Sequence, residues 1–169
     1  MLNESNVLLI RHAEKPVRGR GLAPMGEARA QAYATYFPRL PIHGLDAEPE
    51  AHYHYLFAAK DSHASHRPRL TLEPLRAVTG LPILQPYADK EFAHLADHLI
   101  DSAKYAGKNI VICWHHGEIL QLANALLGTE TPPSDWPSPP WPGDIFGWLL
   151  WLHYDEHEKV TSPPSGCYR

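Results

Sequence analysis

Residues 7–14 constrain this chain more than any other stretch. Val7, Leu8, Leu9 and Ile10 form an unbroken apolar run, and Arg11, His12 and Glu14 follow it almost at once. A short run of this kind is the pattern of a strand covered on both faces, as in a parallel sheet with helices on either side. The polar group then sits where the strand ends and its loop begins, the edge at which open α/β sheets bind ligands. Arginine offers a planar, permanently charged fork suited to phosphate, and histidine offers a nucleophilic nitrogen at neutral pH. Together they point to phosphoryl chemistry.

A second stretch repeats this layout. Ile110, Val111, Ile112, Cys113 and Trp114 read as an equally apolar strand, ended by His115, His116 and Gly117. Two buried parallel strands put their C-terminal ends on one edge of a sheet, so His12 and His116 can face each other across a cleft. Gly117 allows close backbone approach, and the helix expected over 118–127 directs free N–H groups at that cleft. A third stretch, residues 62–71, follows a strand at 55–59 and opens a helix over 68–78, closed by Gly80. It carries Arg67, Arg69 and Thr71.

The remaining pattern fills in an alternating chain. Residues 27–37 suit a helix packed on the sheet, 82–84 a short strand, and 145–154 a final long strand. Phe92, Leu95, Ala96, Leu99, Ile100 and Ala103 recur at helical spacing, which predicts an amphipathic helix over 90–103. Residues 42–53 read as irregular. The proline-rich loop 132–142 carries Trp136 and Trp141, expected to pin it to the body, and the polar tail 155–169 is expected to be poorly ordered. Strands alternating with helices imply βαβ units, hence a three-layer α/β/α sandwich with a mostly parallel central sheet. The 169 residues fit a single domain, 1–169, with its core at about 7–154.

Composition excludes several other classes. A formal charge of −4 argues against nucleic acid or a membrane surface as partner, and no apolar run is long enough to span a bilayer. The N-terminus lacks the pattern of a signal peptide, and two cysteines make no disulfide framework, so a cytoplasmic location is expected. His52, His54, His63, His66, His94, His98 and His115 do not form a compact ligand set, although His94 and His98 are one helical turn apart; no metal is expected. Lys15, Arg18 and Arg20 form a basic loop that either recruits an anionic substrate or is simply solvated.

The three stretches together resemble the signature of the histidine phosphatase superfamily, the phosphoglycerate mutase-like proteins. Arg11-His12-x-Glu14 is similar to its N-terminal motif, Arg67-x-x-x-Thr71 to its second arginine motif, and His116-Gly117 to its late His-Gly pair. His115 departs from the pattern, standing where the family often has a small or hydroxylic residue. The resemblance covers about residues 7–154 and implies a phosphoglycerate mutase-like sandwich. It gives His12 the nucleophilic role, with a phosphohistidine intermediate hydrolysed by water. Arg11, Arg67, His116 and Gly117 would bind the phosphoryl group of a small phosphorylated substrate, or a phosphate or sulfate ion. No cofactor is implied, since the arginines supply the positive charge. The general acid falls among Asp89, Glu91 and Glu118, with Glu91 preferred. Glu14 is expected to position the site. Phosphatase chemistry on a phosphomonoester or phosphohistidine is the expected function. The rivals are mutase-type phosphotransfer, which favours long covering insertions this short chain lacks, an idle phospho-ligand binding module, and a histidine-rich metal-dependent hydrolase.

Overall fold

The computed structural model describes residues 2–42, 52–128, 134–161 and 166–168. Its strands and helices follow in the order β1 (Asn6–Arg11), α1 (Pro24–Tyr36), β2 (Tyr55–Ala58), α2 (Arg67–Thr79), β3 (Ile83–Leu84), α3 (Phe92–Asp101), β4 (Asn109–Trp114), α4 (Ile119–Leu127), β5 (Leu149–His153) and β6 (Gly166–Tyr168). One sheet holds all six strands in the order β3-β2-β4-β1-β5-β6.

The apolar runs dominate because every residue of β1 and β4 is buried. Side chains alternate across a strand, so β1 feeds two cores. Leu8 and Ile10 join Val111 and Cys113 of β4 beneath Tyr33 of α1 and Leu72 and Leu75 of α2. Val7 and Leu9 join Ile110 and Ile112 under Leu95 and Leu99 of α3 and Ile119, Leu122 and Leu126 of α4. Helices therefore cover both faces, and the three-layer sandwich expected from the alternation is present.

β1, β2, β3 and β4 are mutually parallel where they pair. The far side departs from that pattern, since β5 runs antiparallel to β1 and β6 antiparallel to β5. The final strand is also shorter than residues 145–154. Its first four positions are irregular because Ile145 and Phe146 are engaged with Arg11. The tail is better organised than its polar composition suggests: Tyr154 bridges Val160, and Gly166, Cys167 and Tyr168 pair with Trp151, Leu150 and Leu149. α3 is shorter than 90–103 because 3-10 turns occupy Asp89–Glu91 and Ala103–Tyr105. Residues 43–51 of the stretch expected to be irregular, and 132–133 of the proline-rich loop, lie outside the described residues. Trp136 and Trp141 are buried, and Trp141 donates from Nε1 to Ile145 O at 2.8 Å, which ties the loop to the body as expected. No described helix is long and apolar enough to cross a membrane.

Candidate active site

The parallel pairing of β1 with β4 sets Arg11 opposite Trp114, and the ladder continues one step further as His12 N–H donates to Trp114 O at 3.0 Å. His12 and His115 thus leave adjacent strands side by side. Their ring centroids are 5.0 Å apart in an edge-to-face arrangement, and His116 lies at 6.5 Å.

His12 is only 2 % exposed, and its Nδ1 lies 2.7 Å from Ala13 O. A carbonyl can only accept, so Nδ1 carries the proton and Nε2 keeps its lone pair. Burial pushes the imidazole pKa down to about 3, and His115, Arg11 and Arg67 press in the same direction against the Ala13 contact. The ring is therefore a neutral imidazole at neutral pH, with the Nε2 lone pair available. The backbone that carries it is fixed by Thr71, whose Oγ1 accepts from Ala13 N–H at 2.9 Å and donates to Arg67 O at 2.8 Å. One hydroxyl thereby joins the first motif to the start of α2.

Arg11 is 1 % exposed. Its Nη1 donates to Pro142 O, Gly143 O and Ile145 O at 3.1, 3.0 and 2.9 Å, and its guanidinium lies 3.8 Å over the Phe146 ring. Nε has no hydrogen-bond partner although it is buried. Burial lowers the Arg11 pKa to about 10, against the pull of Glu14 and Asp144, so the charge persists at neutral pH. Arg67 opens α2, and its Nε is likewise buried without a partner; Nη1 makes one long contact of 3.4 Å to Gly19 O. Its charge reaches His12, His115 and His116. Two guanidinium groups with idle buried N–H donors beside an imidazole make a site for an oxyanion.

Glu14 takes a supporting position. Both its carboxylate oxygens accept from Arg29 of α1, with Nη2 to Oε1 at 2.6 Å. Burial alone would raise the carboxyl pKa, but this ion pair holds it below the ordinary range. The α1 helix can lie so close because position 26 is glycine: a Cβ there would meet Glu14 O at 2.5 Å and Glu14 N at 2.9 Å. The basic loop is tied in as well, with Arg20 O accepting from His66 N–H at 2.9 Å.

His116 is exposed and His115 partly buried. Burial, then Arg11, Lys15 and Arg67, lower the His116 pKa; burial, then Arg67, His116 and Arg11, take His115 down to about 4. A Cβ at Gly117 would meet no atom within 4 Å, so the close approach expected there involves no protein group and the backbone faces open space.

Three carboxylates were candidates for the acid. Glu91 is exposed, and its Oε2 accepts from Ala88 N–H at 2.7 Å, closing the 3-10 turn. Glu118 is buried and paired with Lys90. Asp89 has a buried Oδ1 without a partner, and burial, then the charge of Glu118, raise its pKa to about 6. Its backbone oxygen accepts from Trp114 Nε1 at 3.1 Å, which fastens this turn to the end of β4.

Phe146 and the carbonyls of residues 142–145 were missed by sequence reasoning. Backbone acceptors leave no mark in a sequence, and Phe146 was absorbed into the expected long strand. Of the abundant histidines, His98 lies between Tyr87 Oη and Tyr105 Oη at 3.2 Å each. Among the described residues no group of three His, Cys, Asp or Glu is placed to hold a metal ion.

No family model and no curated protein matches the sequence. Solved structures do match in shape. A phosphoglycerate mutase from Bacillus anthracis superposes with a TM-score of 0.60 at 12 % identity, covering 94 % of this chain and 91 % of its own. A phosphoserine phosphatase mutant from Entamoeba histolytica, in complex with phosphoserine, gives 0.54 at 15 % identity, over 94 % and 95 % of the two chains. The protein histidine phosphatase SixA complexed with tungstate gives 0.51 at 17 % identity, over 92 % of each. The chain therefore has the phosphoglycerate mutase-like fold, the fold of histidine phosphatases.

Proposed function

We propose that this chain is a histidine phosphatase that hydrolyses a small phosphomonoester or a phosphohistidine through a covalent intermediate on His12. The observation that carries the reading is the pair of buried, partnerless Nε–H groups of Arg11 and Arg67 beside a histidine whose Nδ1 is engaged and whose Nε2 is free. Arg11 and Arg67 bind the phosphoryl oxygens and offset their charge in a partly dry pocket, and His116, with the open backbone at Gly117, adds neutral donors. The guanidinium groups do the work that a divalent cation does elsewhere.

The chemistry balances in two steps. The Nε2 lone pair of His12 attacks phosphorus while the P–O ester bond breaks, and the departing oxygen takes the Asp89 proton. Water then attacks phosphorus, the P–N bond breaks, the Asp89 carboxylate accepts the water proton, and inorganic phosphate leaves. Asp89 takes this part rather than Glu91, whose carboxylate is bound within its own turn, because the Asp89 Oδ1 is buried without a partner and burial and Glu118 raise its pKa to about 6. A neutral acid near pH 6 is suited to give a proton and later take one back.

The tungstate in SixA and the phosphoserine in the amoebal enzyme show ligands of the expected class on this fold in other proteins. They support an oxyanion or phosphorylated small molecule as ligand here. The test is to incubate the purified chain with a labelled aryl phosphate, quench in alkali, and look for acid-labile label. Wild type should carry it on His12 and release phosphate. The His12→Ala variant should do neither while keeping its melting temperature within a few degrees. Turnover at wild-type rate by that variant would remove the proposed mechanism.

A further inference from the structure

We propose that His115 is a third imidazole of the catalytic machinery, a residue that touches the transferred phosphoryl group and donates a hydrogen bond to one of its oxygens. The proposal rests on the phosphatase reading above and deepens it.

The position follows from strand register. Arg11 pairs with Trp114, so the next residue on each strand, His12 and His115, emerges beside its counterpart. The two rings meet edge to face at 5.0 Å and 70° between planes. The His116 ring is farther off, at 6.5 Å, and is the more exposed of the two. His115 is partly buried and feels the charge of both Arg67 and Arg11, as a ring on the same side of the cleft as His12 would.

Neither ring nitrogen of His115 has a hydrogen-bond partner among the described residues, although the ring is partly withdrawn from water. Neither nitrogen is among the fully buried polar atoms left without a partner, so both stay open to a ligand oxygen entering the cleft. A need for this donor is visible in Arg11, whose Nη1 is already committed to three carbonyls. That leaves Arg11 with Nε and Nη2 for the anion, fewer than a free guanidinium offers. A phosphoryl group presents three non-bridging oxygens, and an imidazole N–H beside the nucleophile is placed to supply what Arg11 withholds. The ring is uncharged at neutral pH, so it adds a donor without adding a third positive charge between two guanidinium groups.

The experiment compares His115→Ala and His115→Gln with wild type and His12→Ala, all as the full chain. The glutamine keeps an N–H of similar reach and cannot titrate. Two quantities are read: kcat and KM on an aryl phosphate, and the affinity for orthovanadate by calorimetry, which needs no turnover. His115→Ala should lower kcat/KM by about 100-fold and weaken vanadate by at least roughly tenfold, in line with loss of one oxyanion donor. His115→Gln should recover most of both losses with an unchanged pH profile. Values for the alanine variant within about threefold of wild type, with His12→Ala inactive, would overturn the role of His115 and leave the phosphatase reading standing. A glutamine variant as impaired as the alanine one, at equal melting temperature, would also overturn it. A wild type that binds vanadate through His115 but never forms acid-labile phosphate would instead sink the phosphatase reading and keep the contact.

Discussion

The C-terminal ends of β1 and β4 begin from nearly the same sequence recipe and finish as opposites. Both are fully buried apolar strands that stop at a histidine. At the end of β1 the polar groups are held on several sides. His12 is tied through Nδ1, Ala13 N–H through Thr71, Arg11 through three carbonyls and an aromatic ring, and Glu14 through Arg29. At the end of β4 the two imidazoles meet the His12 ring edge to face but have no hydrogen-bond partner for their ring nitrogens among the described residues, and His116 lies open. One edge holds its imidazole in a fixed place, as the proposed nucleophile requires if geometry is to set the rate. The other leaves its imidazoles open, as the proposed anion binding requires. The difference comes from what packs beside each strand end: the 142–146 segment and α1 close over the first, whereas α4 begins immediately after the second and leaves its mouth clear.

That contrast can be attacked from either side. After the loss of turnover expected of His12→Ala, the largest effect comes from the receiving side. Arg67→Met should lower kcat/KM by roughly 100- to 1000-fold and weaken phosphate as a competitive inhibitor, with little change in stability, since Arg67 has few protein bonds to lose. Wild-type inhibition by phosphate in that variant would show that the idle guanidinium serves something else. Next, Asp89→Asn should slow an alkyl phosphate by roughly 100-fold and an aryl phosphate, with its better leaving group, far less. For the wild type the alkyl rate should fall as pH rises through about 6, where Asp89 loses its proton, and the variant should lose that limb. The stability effect has the opposite sign. The folded chain holds this proton more tightly than the unfolded chain, so Asp89 lowers stability as pH climbs from the ordinary carboxyl range to about 6. The asparagine variant should therefore melt higher than wild type at pH 7.

On the fixed side, Thr71→Val keeps the shape but leaves Ala13 N–H unsatisfied. It should cost about 1–3 kcal/mol, read by denaturant titration, and slow phosphoenzyme formation more than it weakens phosphate. Equal effects on both would mean that the hydroxyl holds the whole cleft and not the nucleophile alone. The smallest change is Phe146→Leu, which removes the face over Arg11. A cation–π contact of about 0.5–2 kcal/mol predicts a several-fold rise in KM with kcat nearly unchanged.

Sequence patterning disclosed the parts whose physics is local. Continuous branched runs marked β1 and β4, helical spacing marked α3, and Gly80 and Gly128 sit in left-handed caps at the ends of α2 and α4. The cleft residues from three distant stretches could be named because buried parallel strands share an edge. Direction on the far side of the sheet was not legible, since Leu149–His153 is apolar whichever way it runs and only its pairing with β1 decides. β6 was hidden because three residues in a polar tail carry almost no pattern. Asp89 and Glu91 could not be told apart in the sequence, because both positions suit closing the 3-10 turn and only the structure shows that Glu91 does so. His115 was the reverse case, visible as an oddity in the chain but given meaning only by the register that sets it beside His12.

Position 26 sets a limit on how this protein can vary. The helix that anchors Glu14 rests directly on the main chain two residues beyond His12, at a separation that leaves no room for even one methyl group. Thickening the contact by a single carbon would force the whole of α1 outward and carry Arg29 away from its carboxylate. A residue remote from the cleft thus governs how steadily the loop after β1 is held, and the helix can rest there only as long as that position stays bare.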